Sequence, residues 1–238
     1  MLHRRQFHTA AIGLFGLFGL YPLLAWCQAQ ALSLASLSNA DASAGVKAAL
    51  EHGAEVAVQL LGQADGFLGN PLVRIGLPGQ LEEAAKLLRA FGQGKRVDEL
   101  VTSMNRAAEQ AVPMGKDLLV GAVKSMSVSD AKTILTGGQT SVTDFFATKT
   151  RSPLTARFLP VVTKSTQNVG LARQYDSFAG KAASFGLLRK EDANLAQYVT
   201  GKTLDGLYLV IGEEEKKIRQ DPLGTGSKLL GQVFGAMR

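Results

Sequence analysis

Asn105, Arg106 and Glu109 lie within SMNRAAEQ, residues 103–110, at separations of three and four positions. On a helix that spacing brings an amide, a guanidinium and a carboxylate onto adjacent turns, on a side opposite Met104. A second polar run, IGEEEKKIRQDP (residues 211–222), holds Glu214, Glu215 and Arg219. Helix pairs at i,i+4 are expected there between Glu213 and Lys217 and between Glu215 and Arg219. The apolar positions Leu204, Leu207, Ile211 and Ile218 form a stripe that passes over Glu214 or Glu215. One of these carboxylates must therefore meet the edge of the core, where it needs a partner. Arg106, or Arg74 in the upstream run NPLVRIGLPG, can supply a cross-helix cation. Three chemistries suit such a set. It can hold an anionic or polar ligand; two carboxylates can act as acid and base on a glycoside; or the charges can form an ion-pair network that sets helix register. No tryptophan follows Trp26, so the preferred stacking platform for a sugar is missing and the glycosidase reading ranks low.

Other mechanisms lose their residues to the N-terminus. Arg4 and Arg5 precede AAIGLFGLFGLYPLLAW, residues 10–26, which carries no charge, and Ala29-Gln30-Ala31 follows. A basic start, a short apolar run and a small-x-small end are the signature of an export signal, with cleavage after Ala31. The run is short for a membrane span, and its glycines weaken it as a helix. Arg4-Arg5-Gln6-Phe7 is similar to the core of a twin-arginine signal, which a receptor reads. The chain thus divides into a signal peptide, residues 1–31, and a domain, residues 32–238, expected in the periplasm. An uncleaved leader or a lipidated Cys27 would instead anchor it to the membrane, although Trp26 is too bulky for the position before a lipidated cysteine.

Cleavage leaves no cysteine and one histidine, His52. Zinc sites need three or four His, Cys or carboxylate ligands, a Ser-His-Asp triad would have to use His52 in mid-helix, and cysteine nucleophiles are absent. There is no phosphate-cradling GxxxxGKS loop, and ADGFLGN has one acid where a calcium loop needs several oxygens. No catalytic residue, metal or cofactor is expected. Losing Arg4 and Arg5 lowers the formal charge of +6 by two, a balance too mild for nucleic acid. The charge is uneven: residues 145–190 hold Lys149, Arg151, Arg157, Lys164, Arg173, Lys181, Arg189 and Lys190 against Asp176. That stretch is either a solvated helical face or a contact for anionic lipid.

The elements that must position these residues are helical nearly throughout. Ser38 or Asn39 caps a helix through residue 62. A Gly- and Pro-rich loop follows, with enough Leu, Val, Ile and Phe to pack down. Pro78 opens a helix that Gly92 or Gly94 stops. KRVDELVTSMNRAAEQA is a further helix, kinked or restarted at Pro113. Ser127 or Ser129 caps DAKTIL. Ser152-Pro153 is read as the start of a new helix after SVTDFFATKT. A helix and turn over residues 171–188, a short and a long helix from Glu191 to Asp221-Pro222, and a terminal helix over residues 226–238 complete an all-α domain of about eight to ten helices.

The segments LSNADASAGVKAALEHGAEVAVQLLG, DGFLGNPLVRIGLP, SMNRAAEQAVPMGKDLLVGAVKSMSVSDAKTIL and DGLYLVIGEEEKKIRQDP resemble, in order, the exported bacterial family Domain of Unknown Function 4197. The resemblance spans residues 33–235 and implies an all-helical cell-envelope protein; it carries no activity, ligand or catalytic residue. The function expected is that of a non-enzymatic envelope protein binding a partner or a polar or anionic ligand through Asn105, Arg106, Glu109, Glu214, Glu215, Arg219 and Arg74. Two alternatives are a carrier of an apolar ligand such as a lipid, using Phe145, Phe146, Phe158 and Phe178, and a carboxylate-based hydrolase of an envelope polymer.

Overall fold

The computed structural model describes residues 39–138, 140–167, 172–173, 175–176, 184 and 194–221, without the side chains of residues 39–42, Gln80, Ala84 and Arg219. The leader with Cys27, the Ser38 cap, the terminal helix, Phe178 and most of 171–188 lie outside the described residues. Those described fall in one unit, Ala31–Arg238, and are helical without a strand.

Seven α-helices are described: α1 (Asn39–Gly62), α2 (Gly79–Leu88), α3 (Gly94–Ala111), α4 (Lys116–Lys124), α5 (Val128–Thr136), α6 (Ser141–Thr166) and α7 (Leu195–Gln220). They join into five continuous helical stretches rather than eight to ten. The stop expected at Gly92 falls at a kink: Phe91 (φ −90, ψ 19) and Gly92 (φ +77) leave helical geometry between α2 and α3. Pro113 sits in the first turn of a 3-10 link, Val112–Gly115, where its missing N–H is unneeded. From Leu195 one helix runs to Gln220, with Asn194 as its N-cap accepting from the Gln197 amide at 3.0 Å.

The break read at Ser152-Pro153 is also overturned. Helix α6 passes through Pro153 and Pro160. Its buried positions explain why: Val142, Phe146, Thr150, Leu154, Phe158, Val162 and Thr166 recur at every fourth residue across both prolines. A four-residue step exceeds the helical repeat of 3.6, so the buried stripe winds around the helix. It meets α7 where Thr150 Oγ lies 3.0 Å from the Tyr208 hydroxyl. It reaches α3 where Ser103 donates to the Ser165 carbonyl at 3.2 Å and Ser165 to Gln110 at 2.8 Å. Packing along the whole length outweighs the amide hydrogen bonds lost at two prolines.

Helix α7 packs on α6, α1 and α3; α6 also meets α3, α4 and α5, and α1 meets α4 and α5. Tyr208, Phe67, Phe146, Phe158, Leu50 and Leu61 are the largest fully buried side chains. The stripe Leu204, Leu207, Ile211 and Ile218 is buried. No described helix is long and apolar enough to cross a membrane.

Candidate functional site

The loop of residues 63–78 has few backbone partners of its own, yet Phe67, Val73 and Ile75 are buried. Buried amides and carbonyls must be bonded by something, and α3 supplies it. Asn105 Oδ1 accepts from the Ile75 amide at 2.8 Å, and its Nδ2 donates to the Ile75 carbonyl at 2.9 Å and to the Val101 carbonyl at 2.8 Å. Glu109 Oε1 accepts from the amides of Phe67 at 3.0 Å and Leu68 at 3.1 Å. Arg106 donates to the other oxygen of Glu109 at 2.6 Å and to Asp65 at 2.8 Å. These two carboxylates hold the Arg106 guanidinium above its ordinary pKa. Asp65 stands at φ +65, a conformation uncommon outside glycine and tolerated by Asp. From α7, the Tyr198 hydroxyl donates to the Gly76 carbonyl at 2.8 Å.

Asn105, Arg106 and Glu109 therefore converge, as their spacing requires, but they do not lie away from Met104 in a cleft. Asn105, Glu109 and Met104 are all buried, and the polar atoms are spent on the loop. The side that the sequence leaves polar is not open to a ligand: it is covered by a loop whose backbone needs it.

Glu214 and Glu215 belong to a different neighbourhood. Glu214 lies beside Gly53 of α1, whereas the Glu109 backbone lies beside Gly62, about 13 Å farther along that helix at 1.5 Å per residue. Glu215 is the carboxylate that turns inward, 6 % exposed, and it is partnered. Glu214 pairs with Lys217 and Glu213 with Lys216, so the pairs run i,i+3 and the expected Glu213–Lys217 pair is replaced. The side chain of Arg219 lies outside the described residues.

Arg74 is exposed and joins none of these groups. It lines an open groove of about 320 Å³ between residues 72–77 and α7, with Tyr198, Lys202, Asp205 and Leu209 on the opposite wall. These four were missed by sequence reasoning, although a signal was present. At 100° per residue they fall on one face of α7, about 160° from the Leu204/Leu207/Ile211 stripe. The charges in the groove are unbalanced. Asp205 is held by Arg151 of α6 at 2.8 Å. The Lys202 ammonium lies 5.9 Å from the centre of the Tyr198 ring, and neither Lys202 nor Arg74 meets an acid among the described residues. Leu72 and Leu209 leave apolar surface open at the rim, 68 % and 41 % exposed. The loop can lie this close to α7 because residue 206 is glycine: a Cβ there would come within 3.0 Å of Phe67 and 3.1 Å of Val73.

The model of the family described as Protein of unknown function (DUF4197) matches residues 36–235. The chain belongs to this family. No curated protein and no solved structure matches it. In this DUF4197 domain the remaining candidate groups are dispersed. His52 is exposed, and among the described residues no three His, Cys, Asp or Glu side chains converge as a metal ion would require. Phe145, Phe146 and Phe158 are core residues. Of the basic stretch, Arg151 is engaged by Asp205 and stacks 5.2 Å over the Tyr208 ring, and Arg157 donates to the Met114 carbonyl at 2.9 Å.

Proposed function

We propose that the protein is a non-enzymatic component of the bacterial cell envelope that binds a polar, anionic ligand in the groove between residues 72–77 and α7. The observation that carries this reading is the pair Arg74 and Lys202: two cations face one open groove, while its carboxylate, Asp205, is already neutralised by Arg151. An anion entering there gains two charge-assisted contacts without displacing an internal partner. The groove volume, about 320 Å³, lies at the small end of ligand sites, and Leu72 and Leu209 offer contact to an apolar portion of the ligand. The export signature over residues 1–31 supports an envelope location. Arg74 is retained from the sequence-derived site; Asn105, Arg106 and Glu109 serve it indirectly, by holding the loop that presents Arg74.

A thermal-shift screen against phosphate, polycarboxylates, sugar acids and acidic peptides, followed by calorimetry, tests this. The expected result is an anion that raises the melting temperature and whose affinity falls at least about tenfold in Arg74→Ala/Lys202→Ala, the loss of two charged contacts. The unliganded variant should melt as the parent does, since both side chains are exposed. Affinity unchanged in the double variant, or no stabilising anion, would sink the proposal.

A further inference from the structure

The joint between α2 and α3 forms a tip, KLLRAFGQGKR, residues 86–96. Phe91 at its apex is 80 % exposed and Leu87 63 %, with Leu88 beside them. Three large apolar side chains in one protruding turn form a patch that water disfavours, and patches of this kind mark interaction sites. The same residues 86–96 carry Lys86, Arg89, Lys95 and Arg96 and no acid. Lys86 is tied to Glu83 at 2.6 Å, and Arg89 to Glu82 at 3.4 Å and Asp98 at 2.9 Å. Lys95 and Arg96 meet no acid among the described residues; Arg96 only donates to Gln93 at 3.2 Å. The turn itself is a kink, with Gly92 at φ +77 setting Phe91 at its apex.

We propose that this tip seats on the surface of a bilayer containing anionic phospholipid, with Phe91, Leu87 and Leu88 at the boundary of headgroups and acyl chains and Lys95 and Arg96 among the phosphates. Aromatic and leucine side chains on one side and basic groups beside them are the pattern of interfacial anchors, and each basic group near an anionic surface strengthens attachment. A second copy of the chain is the weaker occupant. An isologous contact through this tip would set Lys95 and Arg96 against their own counterparts, which repel. The surface is separate from the Arg74/Lys202 groove, and the proposal does not depend on that site.

The test places a reporter at the apex of the full chain: Phe91→Trp in a Trp26→Phe background, so that fluorescence arises from residue 91 whatever the N-terminal segment does. Vesicles of phosphatidylcholine, with and without phosphatidylglycerol, are brominated in the acyl chains. With the anionic vesicles the emission should shift to the blue and be quenched by bromine. Binding should weaken about fivefold for each charge removed in Lys95→Gln and Arg96→Gln, and further with salt. Emission unchanged on anionic vesicles would overturn the proposal. So would a blue shift that grows with protein concentration in the absence of lipid, because a second copy would then be the cover.

Discussion

Asn105 bonds both backbone groups of Ile75, thirty residues earlier in the chain, accepting from its amide at 2.8 Å and donating to its carbonyl at 2.9 Å. A side-chain amide thereby takes the part that a neighbouring strand would play in a sheet. Ile75 is 2 % exposed, so water cannot replace what Asn105 provides. Asn105→Ala should lower stability by about 2–4 kcal/mol, the cost of two stranded backbone groups, measured by urea denaturation. Asn105→Asp should be no better, since a carboxylate would face the carbonyls of Ile75 and Val101. A loss under about 0.5 kcal/mol would contradict the bracing role.

Glu109 and Arg106 separate bracing from ligand binding. Glu109→Ala strands the amides of Phe67 and Leu68 and should cost about 2–4 kcal/mol; Glu109→Gln keeps an acceptor for both and should cost about 1 kcal/mol. Arg106→Ala should lower the melting temperature by less than Glu109→Ala does, because the guanidinium is partly exposed and its ion pairs are screened by solvent. A melting temperature unchanged in Arg106→Ala would free that residue for a ligand and undo the structural assignment.

Thr200 is buried, and its hydroxyl has no hydrogen-bond partner among the described residues. Thr200→Val replaces that hydroxyl with a methyl of similar shape. The variant should gain about 1 kcal/mol, the penalty for a buried, unmet polar group. Destabilisation on chemical denaturation would mean that the hydroxyl is satisfied in solution.

Helix α5 carries a pH-dependent end. Ser127 caps it by accepting from the Asp130 amide at 3.0 Å, and the Asp130 carboxylate accepts from the Ser127 amide at 3.0 Å and hydroxyl at 2.8 Å. The backbone bond first, then the hydroxyl, holds the Asp130 carboxyl below its ordinary pKa. Because the folded value is the lower one, the contribution is present above the ordinary carboxylate range and is lost as pH falls through the folded value. Ser127→Ala should cost about 1 kcal/mol near neutral pH. The gap between parent and variant melting temperatures should narrow below about pH 4. A gap that stays constant down to pH 2 would contradict the assignment.

The all-helical class was legible because the apolar periodicity of α1, α3 and α7 is strong and the charges fall between the apolar positions. The number of helices was not. Prolines at 153 and 160 carry a local signal for breaks, and only the fourth-residue recurrence from Val142 to Thr166, drawn from contacts with several neighbours, reveals one rod. Asn105, Arg106 and Glu109 were correctly placed side by side by their spacing. What covers them depended on a requirement the helix itself does not state: the loop of residues 63–78 buries Phe67 and Ile75, and the Phe67 amide and both backbone groups of Ile75 find their partners on α3 and not within the loop. Lys202 and Asp205 escaped notice because a face opposite a hydrophobic stripe is ordinarily solvent-facing; the covering segment comes from more than a hundred residues away.

That distance has a consequence for assembly. The loop is held by Asn105 and Glu109 from one side and by Tyr198, 122 positions beyond Gly76, from the other. Asn105 and Glu109 hold Ile75, Phe67 and Leu68 without α7, whereas the Gly76 end stays untied until that helix has docked. Cleavage of this segment by an added protease should therefore rise in Tyr198→Phe.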